Sequence, residues 1–204
     1  MAFNHLPENY HLTREIDMRK DKRIAFWLNL VGTLVFLATG VVGYLIHPVT
    51  DWMSFDLYQV LALVLGLFVY IILHELIHAF FMRLFCKAKV NFGFHTYAAY
   101  AGMKQGYFTK AEYIIIALAP VVLLGAVLVC LNIFLPESWF WAFFIIQGQN
   151  IAGAVGDYYV IILLLKTPRK TLVNDDGMSM RYYVGEGHSV RYDEDPVDDF
   201  PDLQ

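Results

Sequence analysis

Long apolar blocks alternate with short polar and basic segments along the chain, and this pattern predicts four membrane-spanning helices. All Lys and Arg residues fall into three groups, within residues 14–23, 83–110 and 166–191. Spanning a hydrocarbon core of ~30 Å takes about 20 helical residues, and each of the two intervening cation-free blocks has room for two such helices. We therefore predict spans at Ile24–Ile46, Leu57–Phe85, Tyr113–Leu135 and Trp139–Leu165.

Short polar breaks inside each pair of spans predict where the chain turns. His47-Pro48 and Asp51 separate the first pair, and Pro136-Glu137-Ser138 separates the second. Because the cytoplasmic flanks of membrane helices collect Lys and Arg, all three basic groups are expected at the cytoplasmic face. This predicts a multi-pass protein of the cell membrane, embedded in the lipid bilayer, with both termini in the cytoplasm.

Composition supports the membrane interpretation and excludes several other classes of protein. Apolar residues make up 58% of the 204 positions and charged residues 17%, whereas soluble domains average about 45–50% and about 25%. The two cysteines, Cys86 and Cys130, cannot supply a disulfide framework or a thiolate zinc site. A net charge of -4 and the lack of a long basic run argue against nucleic acid as a partner.

The segments outside the predicted helices differ from one another in composition. Residues 90–96 alternate apolar with polar or small residues, which predicts a short cytoplasmic β-hairpin between the second and third helices. From residue 167 the chain becomes polar, with six acidic residues within 193–202, which predicts an acidic, partly disordered cytoplasmic tail. The predicted fold is therefore an all-α membrane protein, with a cytoplasmic N-terminal segment (1–23), a four-helix domain (24–166) and a tail (167–204).

The second predicted helix carries His74-Glu75-Leu76-Ile77-His78, which matches the pattern H-E-x-x-H. Residues four apart lie on one helix face, so both imidazoles can bind a single Zn²⁺ while the neighbouring glutamate acts as a base. Each ionisable residue in a membrane helix costs roughly a few kcal/mol, so three within one apolar helix indicate a functional site. Histidines that only hydrogen-bond neighbouring helices remain the alternative.

Asp157 is the candidate third ligand, because a catalytic zinc usually has three protein ligands. Glu112 lies at the start of the third span and is better explained as a surface residue, which leaves Asp157 as the acidic residue in a span interior outside the motif. His78 and Asp157 each precede the next lysine by nine positions, which places both roughly 13–14 Å below the same surface. A polar contact between helices is the alternative for Asp157. His95, in the predicted loop, is left out of the ligand set.

Two amides share the face of the fourth helix that carries Asp157. Gln147 and Asn150 follow helical spacing with Ala154 and Asp157. We predict that both amides bind the substrate, through its carbonyl or backbone groups. Polar contacts between helices are the rival interpretation for each of them.

The motifs together resemble a known family, the zincin peptidases of bacteria, which are small four-helix membrane proteins distantly similar to site-2 intramembrane metalloproteases. The resemblance covers about Ile71–Lys166 and rests on four segments: His74–His78, Asn91–Phe94, Ala117–Pro120 and Asn150–Asp157. It implies zinc bound by His74, His78 and Asp157, with Glu75 as the base, in a cytoplasm-facing site within the bilayer.

The fourth segment departs from the site-2 pattern. Site-2 proteases typically carry Asn-x-x-Pro-x-x-x-x-Asp-Gly, whereas the interval from Asn150 to Asp157 is one residue shorter and lacks the proline. This difference leaves the predicted zinc ligands unchanged, but the substrate class of site-2 proteases cannot be assigned to this chain.

The sequence therefore predicts a zinc-dependent intramembrane endopeptidase that acts on a membrane-protein or peptide substrate near the cytoplasmic side. One alternative is a catalytically inactive scaffold or regulator in which zinc joins the second and fourth helices. Structural zinc sites are closed by four protein ligands, and no convincing fourth ligand is found. A metal-ion transporter is a further alternative, disfavoured because the far halves of the predicted spans lack ionisable residues.

Overall fold

Four long apolar spans form the body of the protein. The computed structural model describes residues 2–17, 19–48, 56–95 and 98–185. The helices are α1 (Lys22–Ile46), α2 (Leu57–Phe85), α3 (Lys110–Phe134), a 3-10 turn (Glu137–Trp139), α4 (Phe140–Gly153) and α5 (Val155–Leu165). The 3-10 turn, α4 and α5 together make the fourth span. All four spans are long and apolar enough to cross a membrane, so the predicted helices are confirmed.

Capping residues explain where α2 and α3 begin. The Asp56 side chain accepts a hydrogen bond from the backbone N–H of Gln59 at 2.8 Å, and the Gln59 side chain accepts one from the backbone N–H of Asp56 at 3.2 Å. Thr109 and Glu112 form the same reciprocal pair at the start of α3. Such capping boxes satisfy backbone donors that the first turn of a helix leaves free. Glu112 is therefore a helix-capping residue.

α2 is the central helix of the bundle. It packs against both α3 and α4, whereas α1 packs against α4 and α5. Within α1, all of which is described, only Gly43 is buried. Its missing side chain lets the helix approach the rings of Phe144 and Trp141. α1 is therefore the least buried of the four spans.

Two antiparallel β structures lie at one end of the bundle. The strands are β1 (Tyr10–Asp17), β2 (Asn91–His95), β3 (Ala98–Gly102), β4 (Phe108–Thr109), β5 (Leu172–Asp175) and β6 (Ser179–Gly185). β2 and β3 form the hairpin between α2 and α3, and the other four form a sheet in the order β1-β6-β5-β4. The predicted all-α fold class is therefore too narrow, because the protein also has a four-stranded sheet that was not predicted.

A buried cluster joins this sheet to the ends of the helices. Met82 of α2, Phe108 of β4, Leu164 of α5 and Tyr182 of β6 belong to it, and each is at most 1% exposed. β1 precedes α1, β4 leads directly into α3, and β5 follows α5, so this side is called the sheet end. The buried cluster thereby connects the sheet to α2, α3 and α5.

Both predicted terminal segments, 1–23 and 167–204, contribute strands to this sheet. The predicted N-terminal segment contains β1, and the predicted tail contains β5 and β6, which pair with each other and, through β6, with β1. Tyr182–Val184 therefore belongs to this sheet. The acidic residues of the predicted tail, within 186–204, lie outside the described residues, as does Asp51 of the first predicted turn.

Candidate metal centre

Three potential ligand atoms converge between α2 and α5. His74 Nε2 lies 3.2 Å from His78 Nε2, and the Asp157 carboxylate oxygens lie 3.4 Å from His74 Nε2 and 3.5 Å from His78 Nε2. Both histidines are buried, and the Asp157 side chain is 23% exposed. The structure thus brings together the three residues that the sequence singled out, as a group that could hold a metal ion.

The spacing of these atoms fits a tetrahedral zinc ion. Bonds of 2.0–2.2 Å in a tetrahedron put neighbouring ligand atoms about 3.3–3.6 Å apart. The two histidine nitrogens lie 3.2 Å apart, and Asp157 places Oδ2 3.4 Å from His74 Nε2 and Oδ1 3.5 Å from His78 Nε2, so one ion can bind both imidazoles and the carboxylate. Two imidazole nitrogens and one carboxylate oxygen are also a donor set that zinc accepts at catalytic sites.

The second nitrogen of each imidazole has a partner of its own. His78 Nδ1 lies 2.9 Å from the backbone carbonyl oxygen of Ile116 in α3, and His74 Nδ1 lies 3.2 Å from Tyr70 Oη one turn earlier in α2. A carbonyl oxygen can only accept, so His78 donates from Nδ1, and in the neutral ring the Nε2 lone pair is free for a metal. Such outer partners hold ligating histidines in position.

A break in the fourth span places Asp157 at the site. The helix pauses at Ala154, which ends α4 and begins α5, so Asp157 falls in the first turn of α5. Gly153 and Gly156 flank the break, and glycine weakens a helix interior. The fourth span predicted at Trp139–Leu165 is confirmed, but the sequence did not predict this interruption, which small residues permit beside a cavity.

The three ligand residues lie at the wall of a cavity of about 690 Å³, within the usual size range of ligand sites. Glu75 also faces this cavity, half-buried, with its carboxylate beside the backbone N–H of Ala101 in β3. Residues of α1, α2, the hairpin and the turn between β5 and β6 line the cavity, together with residues of α4 and α5. The base predicted from the motif therefore shares one space with the three ligands.

The two predicted substrate-binding amides lie elsewhere. Asn150 is fully buried and donates from Nδ2 to the carbonyl oxygen of Val121 in α3 at 3.0 Å. Gln147 approaches the same part of α3 near Gly125. Neither side chain lines the cavity, whereas their neighbour Gln149 does. The geometry thus favours the rival interpretation, polar contacts between helices, for Gln147 and Asn150.

Several residues of the site had no place in the sequence predictions. Tyr70 precedes His74 by four positions, and the spacing that links the two histidines would have found it. The Ile116 partner is a backbone carbonyl, which carries no side-chain signal. Tyr113 and Asp175 line the cavity from the bundle and the sheet, and Asp175 belongs to the segment predicted as tail. Of His95, the structure describes only the backbone.

Comparison with known proteins points to one family. Residues 67–172 match the model of a protein family described as "Putative zincin peptidase", which covers just over half of the chain. The matched region contains the motif in α2, the hairpin, α3 and Asp157. No curated protein and no solved structure matches the chain.

Proposed function

The chain belongs to the zincin peptidase family, and we propose that it is a zinc-dependent intramembrane endopeptidase of membrane-associated substrates, acting near the cytoplasmic side of the cell membrane. The observation that carries the proposal is the convergence of His74, His78 and Asp157 at zinc-like spacing, with Glu75 facing the same cavity. Ionisable groups within an apolar bundle are costly, and a catalytic centre accounts for all four.

His74, His78 and Asp157 would hold the metal in this proposal. Bound zinc supplies Lewis-acid chemistry, because it polarises a carbonyl oxygen and lowers the pKa of water. Glu75 is free of the ligand set and half-exposed to the cavity. Its carboxylate takes a proton from the attacking water and delivers that proton to the nitrogen of the leaving amine.

The hairpin offers a place for an extended substrate. β3 pairs with β2 along one edge, and Ala99, Tyr100 and Ala101 line the cavity beside Glu75. Peptide groups in a membrane helix are engaged in internal hydrogen bonds, so a substrate must unwind before attack. Backbone pairing of an unwound strand with β3 would replace those hydrogen bonds next to the base.

Ligand number separates an enzyme from a zinc-stabilised scaffold. Among the described residues, the group that could hold a metal has three members, which leaves a fourth position for water. A structural site would require a fourth protein ligand. A transporter would need further ligands along a path, and no second metal-binding group occurs in the described part of the chain.

The test separates metal binding from chemistry. Replacing His74, His78 or Asp157 with Ala should lower the zinc content of detergent-purified protein, because each change removes a ligand atom. Glu75→Gln should keep the metal and lower turnover by roughly 10²–10⁴-fold. Glu112→Gln is a matched control, because that glutamate caps α3 away from the ligands.

Comparing the membrane proteomes of cells that carry Glu75→Gln and cells that carry the wild-type chain identifies substrates. A substrate should accumulate with the variant and return to its normal level when the wild-type chain is restored. Full zinc content in Asp157→Ala would place the third ligand elsewhere, with His95 as the next residue to test. Equal turnover in the wild type and in Glu75→Gln would contradict the proposed chemistry.

A further inference from the structure

We infer that Pro120 is a positioning residue of the metal centre, because it releases the Ile116 carbonyl to accept the Nδ1–H of His78. The inference rests on the proposed zinc site and concerns a residue outside it. Pro120 lies inside α3, fully buried, in a helix that otherwise runs unbroken from Lys110 to Phe134. A proline in a helix interior is unfavourable, so its presence calls for a reason.

The chemistry of the helix backbone identifies the carbonyl that loses its donor. In an α-helix the carbonyl of one residue accepts from the N–H four residues later. The residue four positions after Ile116 is Pro120, and proline has no N–H. The Ile116 carbonyl therefore lacks its normal partner as a direct result of the sequence.

His78 supplies the missing donor. Its Nδ1 lies 2.9 Å from that carbonyl oxygen, and the bond crosses from α2 to α3. Ile116 is 1% exposed and His78 is 8% exposed, so water is a poor substitute at either group. A buried carbonyl without a donor costs free energy, and the histidine and the carbonyl satisfy each other.

Pro120 affects both the orientation of the Ile116 carbonyl and its freedom to accept a hydrogen bond. A carbonyl oxygen has two lone pairs, so a residue with an N–H at position 120 would share the Ile116 carbonyl with His78. The proline ring also clashes with the carbonyl four residues earlier and pushes it out of line with the helix axis. Both effects leave the Ile116 oxygen available to His78 of α2, whose Nδ1 lies 2.9 Å away.

The hydrogen bond to Ile116 holds the His78 ring in one orientation for metal binding. With Nδ1 donating to Ile116, the His78 ring presents the lone pair of Nε2 to the point shared with His74 Nε2 and Asp157. Loss of an outer partner of a ligating histidine typically lowers metal affinity by 10–100-fold. Pro120 thus acts on the metal through one hydrogen bond and without touching it.

The test compares zinc affinity in proline variants of the full-length protein in detergent, by competition with a chromophoric chelator. Pro120→Ala should lower zinc affinity by up to about 10-fold, the lower end of the range for a lost outer partner, because the restored N–H at position 120 then shares the Ile116 carbonyl with His78, although alanine is the better helix former. Pro136→Ala is the control, because Pro136 lies at the exposed turn before the 3-10 helix. Its zinc affinity should equal that of the wild type.

A purely structural role for Pro120 predicts a different result. Restoring the helix hydrogen bond would leave zinc affinity unchanged while the metal-free protein becomes more heat-stable. Wild-type affinity in Pro120→Ala, or an equal loss in Pro136→Ala, would overturn the inference. A wild-type protein that binds no zinc would instead overturn the proposed function, so the two failures are distinguishable.

A second measurement needs no variant and therefore survives a failure of Pro120→Ala to fold. Nitrogen-15 NMR of histidine-labelled, zinc-loaded wild-type protein reports which ring nitrogen of His78 carries the proton. We expect a proton on Nδ1 and metal at Nε2. Metal at Nδ1, or a proton-free Nδ1, would contradict the assignment.

Discussion

Tyr113 and Asp175 join the helical bundle to the four-stranded sheet at the cavity wall. Tyr113 Oη donates to Asp175 Oδ2 at 2.5 Å, and the backbone N–H of Gly177 donates to Oδ1 at 2.7 Å. Burial raises the pKa of Asp175 to about 6, and the two hydrogen bonds offset only part of that effect. The folded protein therefore holds a proton on Asp175 more tightly than the unfolded chain does.

Asp175→Asn should remove a pH dependence of stability between about pH 4 and pH 6. An unperturbed aspartate has a pKa of about 3.9, so the unfolded chain releases this proton first as the pH rises. The contribution of Asp175 is fully present below that value and is lost as the pH rises through the folded pKa of about 6. The loss is about 3 kcal/mol.

Thermal unfolding of the zinc-free wild type and of Asp175→Asn, in detergent from pH 4 to pH 7, measures this difference. The asparagine keeps one oxygen, which can accept from the backbone N–H of Gly177, and its Nδ2 can donate to Tyr113 Oη, so Asp175→Asn resembles the protonated carboxyl group. Parallel stability curves for the two proteins would contradict the prediction.

The grouping of the ligand residues could be predicted for two reasons. The two histidines lie close together in the sequence, and acidic residues are rare inside the apolar spans. H-E-x-x-H puts two histidines on one helix face by spacing alone. Asp157 stands out as an acidic residue in the interior of an apolar span. The Ile116 carbonyl and Asp175 could not be predicted in this way, since a backbone group has no signature and Asp175 reaches the site through sheet pairing.

At the scale of elements, the turn between β5 and β6 is fastened to the hairpin. The backbone N–H of Met103, just after β3, donates to the Asp175 carbonyl at 2.7 Å. Asn174 Nδ2 donates to the carbonyl oxygens of Met103, Lys104 and Gly106 at 2.9–3.2 Å. Gly102 packs directly on the backbone of this turn, where a Cβ would overlap Asp176 and Gly177. The position of β3 at the cavity depends on this close contact.

Gly102→Ala should destabilise the protein by about 1–3 kcal/mol, because the obstacle is backbone and cannot move aside as a side chain can. The hairpin should also separate from the turn between β5 and β6. Thermal unfolding and limited proteolysis between α2 and α3 measure the two effects.

Gly40→Ala is the matched control for that change. Gly40 lies in α1 with no atom within 4 Å of a Cβ at its position. Alanine there should be neutral or stabilising by up to about 1 kcal/mol, as in any exposed helix. Equal behaviour of the two variants would contradict the packing argument.

Helix lengths could be predicted more securely than the interruption of the fourth helix. Bilayer thickness fixes the length of an apolar span, and the predicted ends lie within three residues of the observed ones. A break of one residue at Ala154 changes neither the length nor the apolar content of the span. The flanking glycines suit the break but equally suit close helix packing, so the pattern alone does not locate it.

At the scale of the whole molecule, the four-stranded sheet joins segments from both ends of the chain. β1, near the start of the sequence, pairs with β6, which lies more than 160 residues later. β4, the two residues that directly precede α3, pairs with β5. Such pairing leaves no local signal, because each strand is short and completes its hydrogen bonds with a distant partner. The hairpin between α2 and α3, whose strands are neighbours in sequence, could be predicted from alternation.

Two truncations distinguish the acidic tail from the sheet. Removing residues 193–204 should leave folding and zinc content unchanged, because their charge density opposes a packed core and they lack ligand spacing. Truncation after Thr171 removes β5 and β6, including the fully buried Val173 and Tyr182. It should expose the cluster at the sheet end and cause aggregation or loss of zinc.

Size-exclusion chromatography and metal analysis of the purified proteins measure both outcomes. Zinc loss in the shorter deletion would show that the tail takes part in the site. Normal zinc content after removal of β5 and β6 would show that the helices hold the metal without the sheet.

The charge distribution predicts an orientation in the membrane, and with it the side from which the proposed substrates would reach the site. The described basic residues of the three groups belong to the sheet, to the hairpin region or to the turns and helix ends next to them, and positive residues favour the cytoplasmic side in most membrane proteins. Reporter fusions after Lys104 and Gln204 should therefore score as cytoplasmic, and fusions after Asp51 and Glu137 as external. Because Glu75 lies beside the hairpin, a cytoplasmic Lys104 means that the hairpin presents substrates from that side. An external Lys104 would invert the bundle and require substrates to approach from outside the cell.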